Sequence, residues 1–130
     1  MIVRHANTEH GGTNHSTFPA GSSLRLLTRV DGVGFSLHDT NLKAGSTLDL
    51  WYKNHIEANY VIAGTGVLTN LETGDEFDVR PGFMYTLDKN DRHRMTTTSD
   101  MRIICVFAPA LVGTEKHDAD GSYPLLEDAT

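Results

Sequence analysis

The chain has 130 residues, a formal net charge of −6 and 38% hydrophobic residues, enough to bury a core as one domain without staples. The acidic balance argues against nucleic acid or an anionic membrane as the main partner. A single cysteine, Cys105, excludes an intrachain disulfide and suits a reducing cytoplasm. No apolar run approaches the ~18–20 residues of a membrane span, and Met1-Ile2-Val3-Arg4 runs into polar residues without signal-like character. A soluble cytoplasmic protein is expected.

Taken in order, residues 5–23 (HANTEHGGTNHSTFPAGSS) are polar and rich in Gly, Ser and Thr, and read as an N-terminal arm or lid over residues 1–23. Its histidines, His5, His10 and His15, are irregularly spaced and read as solvated side chains rather than ligands. From Leu24 the pattern changes. LRLLTRV and FSLHDTNL flank a glycine turn, TLDLWYKN reads as a strand, and ANYVIAGTGVLTN as a strand pair around Gly64 and Gly66. EFDVRPGFMYTLDKNDRHRMTT carries two more strands around Pro81-Gly82, and MRIICVFAPAL is a longer apolar strand. No stretch sustains a helical apolar period. The expectation is an all-β barrel over residues 24–125 with little helix, and a frayed tail over residues 126–130.

Two glycine-anchored blocks sharpen that expectation. In GSTLDLWYKNHIEANYVIAG (45–64), Gly45 is followed after five residues by Trp51-Tyr52-Lys53, Glu57 comes four after Lys53, and Gly64 closes the block. This resembles the first conserved block of the cupin barrel, a double-stranded β-helix or jelly roll, with its His-any-His replaced. The second block starts at Gly82, places Asp88 at the usual proline and Asn90 at the usual glycine, and brings His93 to the histidine position. Asn tolerates the left-handed conformation that a glycine turn supplies.

Glu57 and His93 are therefore the retained ligand positions, and a third donor is needed to hold an ion firmly. Tyr85 is the best candidate: it shares strand parity with Phe83 and Leu87, and an ionised phenol is a hard oxygen donor. His55 is a rival. The bland alternative is a hydrogen-bonded Glu–His pair with no metal. If a metal is present, this N/O set suits Fe(II) or Zn(II), with Mn(II) possible. Arg25, Thr40, Trp51, Tyr52, Lys53, Glu115 and His117 suit a small zwitterionic ligand bearing a carboxylate and an amine. Each taken singly also reads as surface charge or packing, Trp51 above all. Cys105, within RIICVF, reads as a buried core thiol.

Several runs together resemble the ectoine synthase family of iron-dependent cupins: DGVGFSLHDT (31–40), WYKNHIEA (51–58), RPGFMYTLDKNDRHR (80–94), CVF (105–107) and HDADGSYPL (117–125). The resemblance implies closure of N-γ-acetyl-2,4-diaminobutyrate to the cyclic amidine ectoine with release of water, a carbon–oxygen lyase reaction. It implies metal ligands at Glu57, Tyr85 and His93, with Fe(II) the expected ion. Catalytic roles fall on Tyr52, Glu115 and His117, substrate contacts on Arg25, Thr40, Cys105 and Phe107 beside Trp51, and the assembly is expected to be a homodimer. Two departures stand out. Gly21 occupies a position where the family commonly has tryptophan, leaving that wall open or to a residue such as Phe18; Phe107-Ala108-Pro109-Ala110 replaces Phe-Asn-Pro-Pro. They leave other readings open: a related acylated diamino acid, hydrolysis of the cyclic amidine, or a non-catalytic binding cupin.

Overall fold

The computed structural model describes residues 1–126. In chain order its elements are α1 (Ala6–Glu9), β1 (His15–Phe18), β2 (Gly21–Leu27), a 3-10 turn (Arg29–Asp31), β3 (Ser36–Leu42), β4 (Thr47–Leu50), β5 (Ile56–Ala63), β6 (Gly66–Asn70), β7 (Glu76–Val79), β8 (Met84–Leu87), β9 (His93–Thr97) and β10 (Met101–Ala108). They form a six-stranded sheet in the order β1-β2-β3-β10-β5-β8 and a four-stranded sheet in the order β4-β9-β6-β7. Every pairing is antiparallel.

The strand period decides what faces inward. On β10, Met101, Ile103, Cys105 and Phe107 are buried and Arg102 and Ala108 are exposed. Its continuous apolar run suits a central strand, flanked here by β3 and β5. On β8, Leu87 is buried and Tyr85 packs on the core, as does Phe83 just before the strand, while Met84 and Thr86 are exposed. This is the shared parity expected of Phe83, Tyr85 and Leu87. From the facing sheet, Leu68 and Met95 complete the apolar cluster. The turn into β9 needs a positive φ, and Asn90 supplies it at +53°, where a β-branched residue would be strained.

The N-terminal segment differs from its expected role as an arm. His15–Phe18 pairs with Gly21–Leu27 as a hairpin, Phe18 opposite Gly21, and β2 continues onto β3. The barrel therefore begins at His15 rather than Leu24. Ser and Thr side chains carry no apolar alternation, yet their backbones pair as well as any others. The histidines here are also more than solvated side chains. His5 Nδ1 accepts the Asn7 backbone N–H at 3.0 Å as the N-cap of α1, and His15 Nδ1 accepts the Gly11 N–H at 2.7 Å. β4 is shorter than TLDLWYKN: past Leu50 the chain leaves the sheet, and Trp51 N–H donates to the Gly121 carbonyl at 3.1 Å. The stretch read as two strands after Glu76 holds a third, β9. Of the tail expected to fray over residues 126–130, all but Leu126 lies outside the described residues.

Candidate active site

Register collects the site. One row across the six-stranded sheet reads Arg25, His38, Cys105, Asn59 and Tyr85, each opposite the next on β2, β3, β10, β5 and β8. The adjacent row reads Ser36, Phe107, Glu57 and Leu87. From the other sheet His93 stands between Leu50 and Asn70. Between the sheets lies a cavity of about 40 Å³ lined by Thr40, Tyr52, Glu57, Tyr85, Cys105 and Phe107, among others. Phe18, Leu48, His117 and Tyr123 line it too, and also a wider mouth of about 450 Å³ that Arg25 and Lys116 share.

At the inner end of that mouth, Tyr52 Oη lies 2.9 Å from Nε2 of His117. Burial, and then the nearby Arg25 charge, pull His117 down to about 4. Burial pushes the Tyr52 phenol well above its ordinary range, with Glu57 adding to it. At neutral pH both groups are uncharged, and the phenol donates to Nε2 in the tautomer that carries the His117 proton on Nδ1. Tyr123 stacks on His117 at 4.3 Å between ring centroids and on Tyr52 at 5.4 Å. Arg25 is buried and reaches Ser23 Oγ at 3.0 Å, the Gly113 carbonyl at 3.0 Å and Tyr123 Oη at 3.2 Å. All three partners are neutral, so none of these bonds sets a counter-charge against the guanidinium beside the mouth.

Glu57, Tyr85 and His93 fit a divalent cation. His93 is 2% exposed, its Nδ1 faces the Asp91 carbonyl at 3.0 Å, and its buried Nε2 has no partner among the described residues. That is the tautomer and free lone pair a ligating histidine needs. Burial drives the Glu57 carboxyl up to about 8, with the neighbouring Asn59 and Cys105 side chains opposing it more weakly, and it pushes Tyr85 well above the usual phenol range. A cation would offset both. Among the described residues no three His, Cys, Asp or Glu side chains converge, so the set needs the Tyr85 phenol as its third donor. His55, the rival, lies behind the cavity wall, edge-on to Phe107 and Tyr123.

Three other residues read as site groups stand elsewhere. Trp51 lies outside the cavity, with Lys53 Nζ 4.4 Å and the Arg92 guanidinium 5.5 Å from its ring. Lys53 is exposed and pairs with Asp120. Trp51 is thus a surface platform, because the chain turns off the sheet at Leu50. Glu115 is buried, but its two oxygens accept the backbone N–H groups of Val112 and Gly113 at 2.7 and 2.8 Å. It holds the loop whose Gly113 carbonyl takes Arg25. Cys105 keeps its proton: burial, then Glu57, push the thiol well up, and Sγ donates to Thr40 Oγ1 at 3.5 Å. Reading from sequence missed Ser23, His38, Asn59 and Tyr123. Asn59 shares parity with Glu57 and was within reach of that argument; His38 and Ser23 enter only through the β2–β3 register.

A two-sheet antiparallel barrel closed around a largely apolar cavity, with Glu57 and Tyr85 in its lining and a buried His93 beside Tyr85, is a cupin. Solved cupin-like neighbours such as the EutQ protein of Clostridium difficile share the fold alone, at 21% identity over 83% of this chain and 82% of that one, TM-score 0.60. A more specific likeness covers the whole length. Residues 1–127 match the ectoine synthase family model. The L-ectoine synthase of Oceanobacillus iheyensis is 47% identical over 128 residues, 98% of this chain and 100% of that protein. The crystal structure of ectoine synthase from P. lautus covers 100% of this chain and 94% of that one, at 42% identity and TM-score 0.87. The chain belongs to the ectoine synthase family.

Proposed function

We propose that this chain is a lyase that closes N-γ-acetyl-2,4-diaminobutyrate to ectoine and water. The observation that carries the reading is the juxtaposition of Arg25, buried at the mouth among neutral hydrogen-bond partners, and the Tyr52–His117 proton couple where that mouth meets the small cavity. The substrate offers the matching groups: a carboxylate, an α-amine and an acetamide.

Arg25 binds the carboxylate at the mouth, and the apolar walls fold the chain so that amine and acetamide meet, an ordering that lowers the barrier by several kcal/mol. The ammonium gives one proton to Tyr52 Oη as the phenol proton moves to His117 Nε2. The neutral amine then attacks the acetamide carbon, a C–N bond closes the ring as the C=O π bond opens, and a proton from the attacking nitrogen passes to the carbonyl oxygen to make a hydroxyl. The couple returns its proton to that hydroxyl, the C–O bond breaks to release water, and a nitrogen lone pair forms the C=N bond of the protonated amidine. Glu57, Tyr85 and His93 are the proposed ligands of Fe(II), with Zn(II) or Mn(II) as ions the same donors accept. When bound, the ion supplies Lewis-acid polarisation of the acetamide carbonyl.

We extend the reading to a homodimer. Ile56, Tyr60 and Ile62 of β5 and Met84 of β8 are exposed on the outer face of the sheet, a surface a second copy would cover. NMR of purified, iron-supplemented protein with N-γ-acetyl-2,4-diaminobutyrate tests the activity. Ectoine resonances are expected; free acetate, or an unchanged substrate spectrum, would sink it.

A further inference from the structure

Behind Arg25 runs a buried chain of neutral polar groups that the proposed chemistry does not use. The His38 side chain, 1% exposed, sits between two serines, with Nε2 3.0 Å from Ser36 Oγ and Nδ1 3.4 Å from Ser23 Oγ. Each serine already accepts another hydrogen bond. Leu111 N–H donates to Ser36 Oγ at 3.1 Å, and Arg25 Nε–H donates to Ser23 Oγ at 3.0 Å. The ring packs on Phe107 at 4.9 Å between centroids. Burial, and then the Arg25 charge, lower its pKa well below the usual range, so the imidazole is neutral and carries one N–H.

Hydrogen-bond accounting settles which nitrogen holds that proton. If it were Nε2, Ser36 would accept twice, and its own hydroxyl proton would have no acceptor among the described residues. Ser36 is fully buried, away from the cavity, so that orphan would carry the full desolvation cost. If the proton is on Nδ1, Ser36 accepts from Leu111 and donates to Nε2, and nothing is orphaned there. Ser23 then accepts from both His38 and Arg25, and its hydroxyl proton is the free one. Ser23 lines the cavity, where a ligand can take it.

We infer that His38 is a positioning residue: held as the Nδ1–H tautomer by Ser36, it fixes the Ser23 oxygen so that the Ser23 hydroxyl proton is presented to an acceptor oxygen of the ligand. The inference rests on the reading of this cavity as the ligand site. Two donors on its oxygen, one a guanidinium, polarise that hydroxyl and strengthen the bond it gives.

The tautomer is measured directly by ¹⁵N NMR of imidazole-labelled protein without substrate, so its outcome is separate from that of the turnover assay. Neutral imidazole in water favours Nε2–H; a protonated Nδ1 at His38 is expected here, and a protonated Nε2 overturns the inference. Substitution gives a second readout. An Asn side chain places its N–H near the Nδ1 position, whereas Gln places it near Nε2. His38→Asn is expected to keep KM within about twofold, and His38→Gln to raise it roughly three- to tenfold, the range for one lost hydrogen bond. Equal effects of the two variants, or a larger loss in the Asn variant, would overturn it.

Discussion

The hydroxyl of Tyr52 and Nε2 of His117 stand 2.9 Å apart although 65 residues separate them in the chain. Two lattices of contacts bring them together. Tyr52 follows β4 in a loop that Asn90 ties down through the Tyr52 carbonyl at 2.9 Å. The loop at His117 is fastened beyond it, where Ser122 accepts from Lys53 N–H and the Tyr123 carbonyl accepts from Asn54 Nδ2. The couple is therefore assembled by tertiary structure, and its chemistry can be removed without removing the rings.

Tyr52→Phe keeps the ring against Phe107 and Tyr123 and deletes only the oxygen. If the couple moves the amine proton, kcat should fall on the order of 10²–10⁴-fold, the usual share of general acid–base catalysis. Stability should change by about 1 kcal/mol, the net value of one hydrogen bond. Steady-state kinetics beside thermal melting separates the two effects; a kcat within threefold of the parent would mean that the proton travels by another path.

Glu115 makes a contrasting case. Both of its oxygens accept from the Val112 and Gly113 N–H groups, and the side chain lines neither the cavity nor its mouth. Glu115→Ala should cost about 2–3 kcal/mol of stability by orphaning two N–H donors near the core. The loss should show in KM as well, because the loosened loop carries the Gly113 carbonyl that holds Arg25. Glu115→Gln keeps an acceptor and should recover part of both. A proton shuttle would behave differently: the Gln variant would melt like the parent and turn over at least a hundredfold more slowly.

These two residues also show how far the sequence reaches. Alternation and turn chemistry made the barrel legible, down to Asn90 standing where a positive φ is needed. Strand parity placed Tyr85 inward with Phe83 and Leu87. A buried carboxylate serving backbone N–H groups, however, looks in sequence like one serving a substrate. The β1–β2 hairpin was hidden for a different reason, since its Ser, Thr and Gly residues pair through backbone alone. The row from Arg25 through His38 to Tyr85 depends on register across five strands, which no local pattern carries.

The ionisation of Glu57 predicts a pH dependence of the metal-free protein. Burial raises its folded-state value to about 8 from the ordinary 4.5, so between those values the folded state binds more protons than the unfolded one. Stability conferred by this group is therefore lost as pH rises toward 8. His117, pulled down to about 4 from 6.5, works in the opposite sense, its contribution growing as pH rises to 6.5. The window from pH 6.5 to 8 isolates the carboxyl. Chelator-treated protein should lose roughly 1–2 kcal/mol across it, and Glu57→Gln should flatten the slope. Adding Fe(II) or Zn(II) should flatten it too, because a bound cation keeps the carboxylate ionised at both ends. Chemical denaturation at the two pH values, with and without metal, checks this; equal stability of the metal-free protein at both would show that the carboxyl titrates near its ordinary value.

The last prediction concerns the wall facing the Tyr52–His117 couple. Gly21 packs so closely under β3 that a Cβ there would meet the Asn41 carbonyl oxygen at 1.8 Å, so this backbone has no room for a side chain at that position. Its register partner Phe18 supplies an aromatic wall instead, its ring 6.3 Å from that of His117 and lining both the cavity and the mouth. Gly21→Trp should therefore not improve substrate binding, and should destabilise the protein by more than about 2 kcal/mol by forcing β2 off β3. Phe18→Ala should leave the sheet paired and raise KM about tenfold, the worth of a lost aromatic surface of 1–2 kcal/mol. Phe18→Trp, which keeps a flat apolar face, should stay close to the parent. Melting curves and KM for the three variants decide the matter. A Gly21→Trp protein that melts like the parent and binds substrate more tightly would show that the wall belongs to position 21 after all.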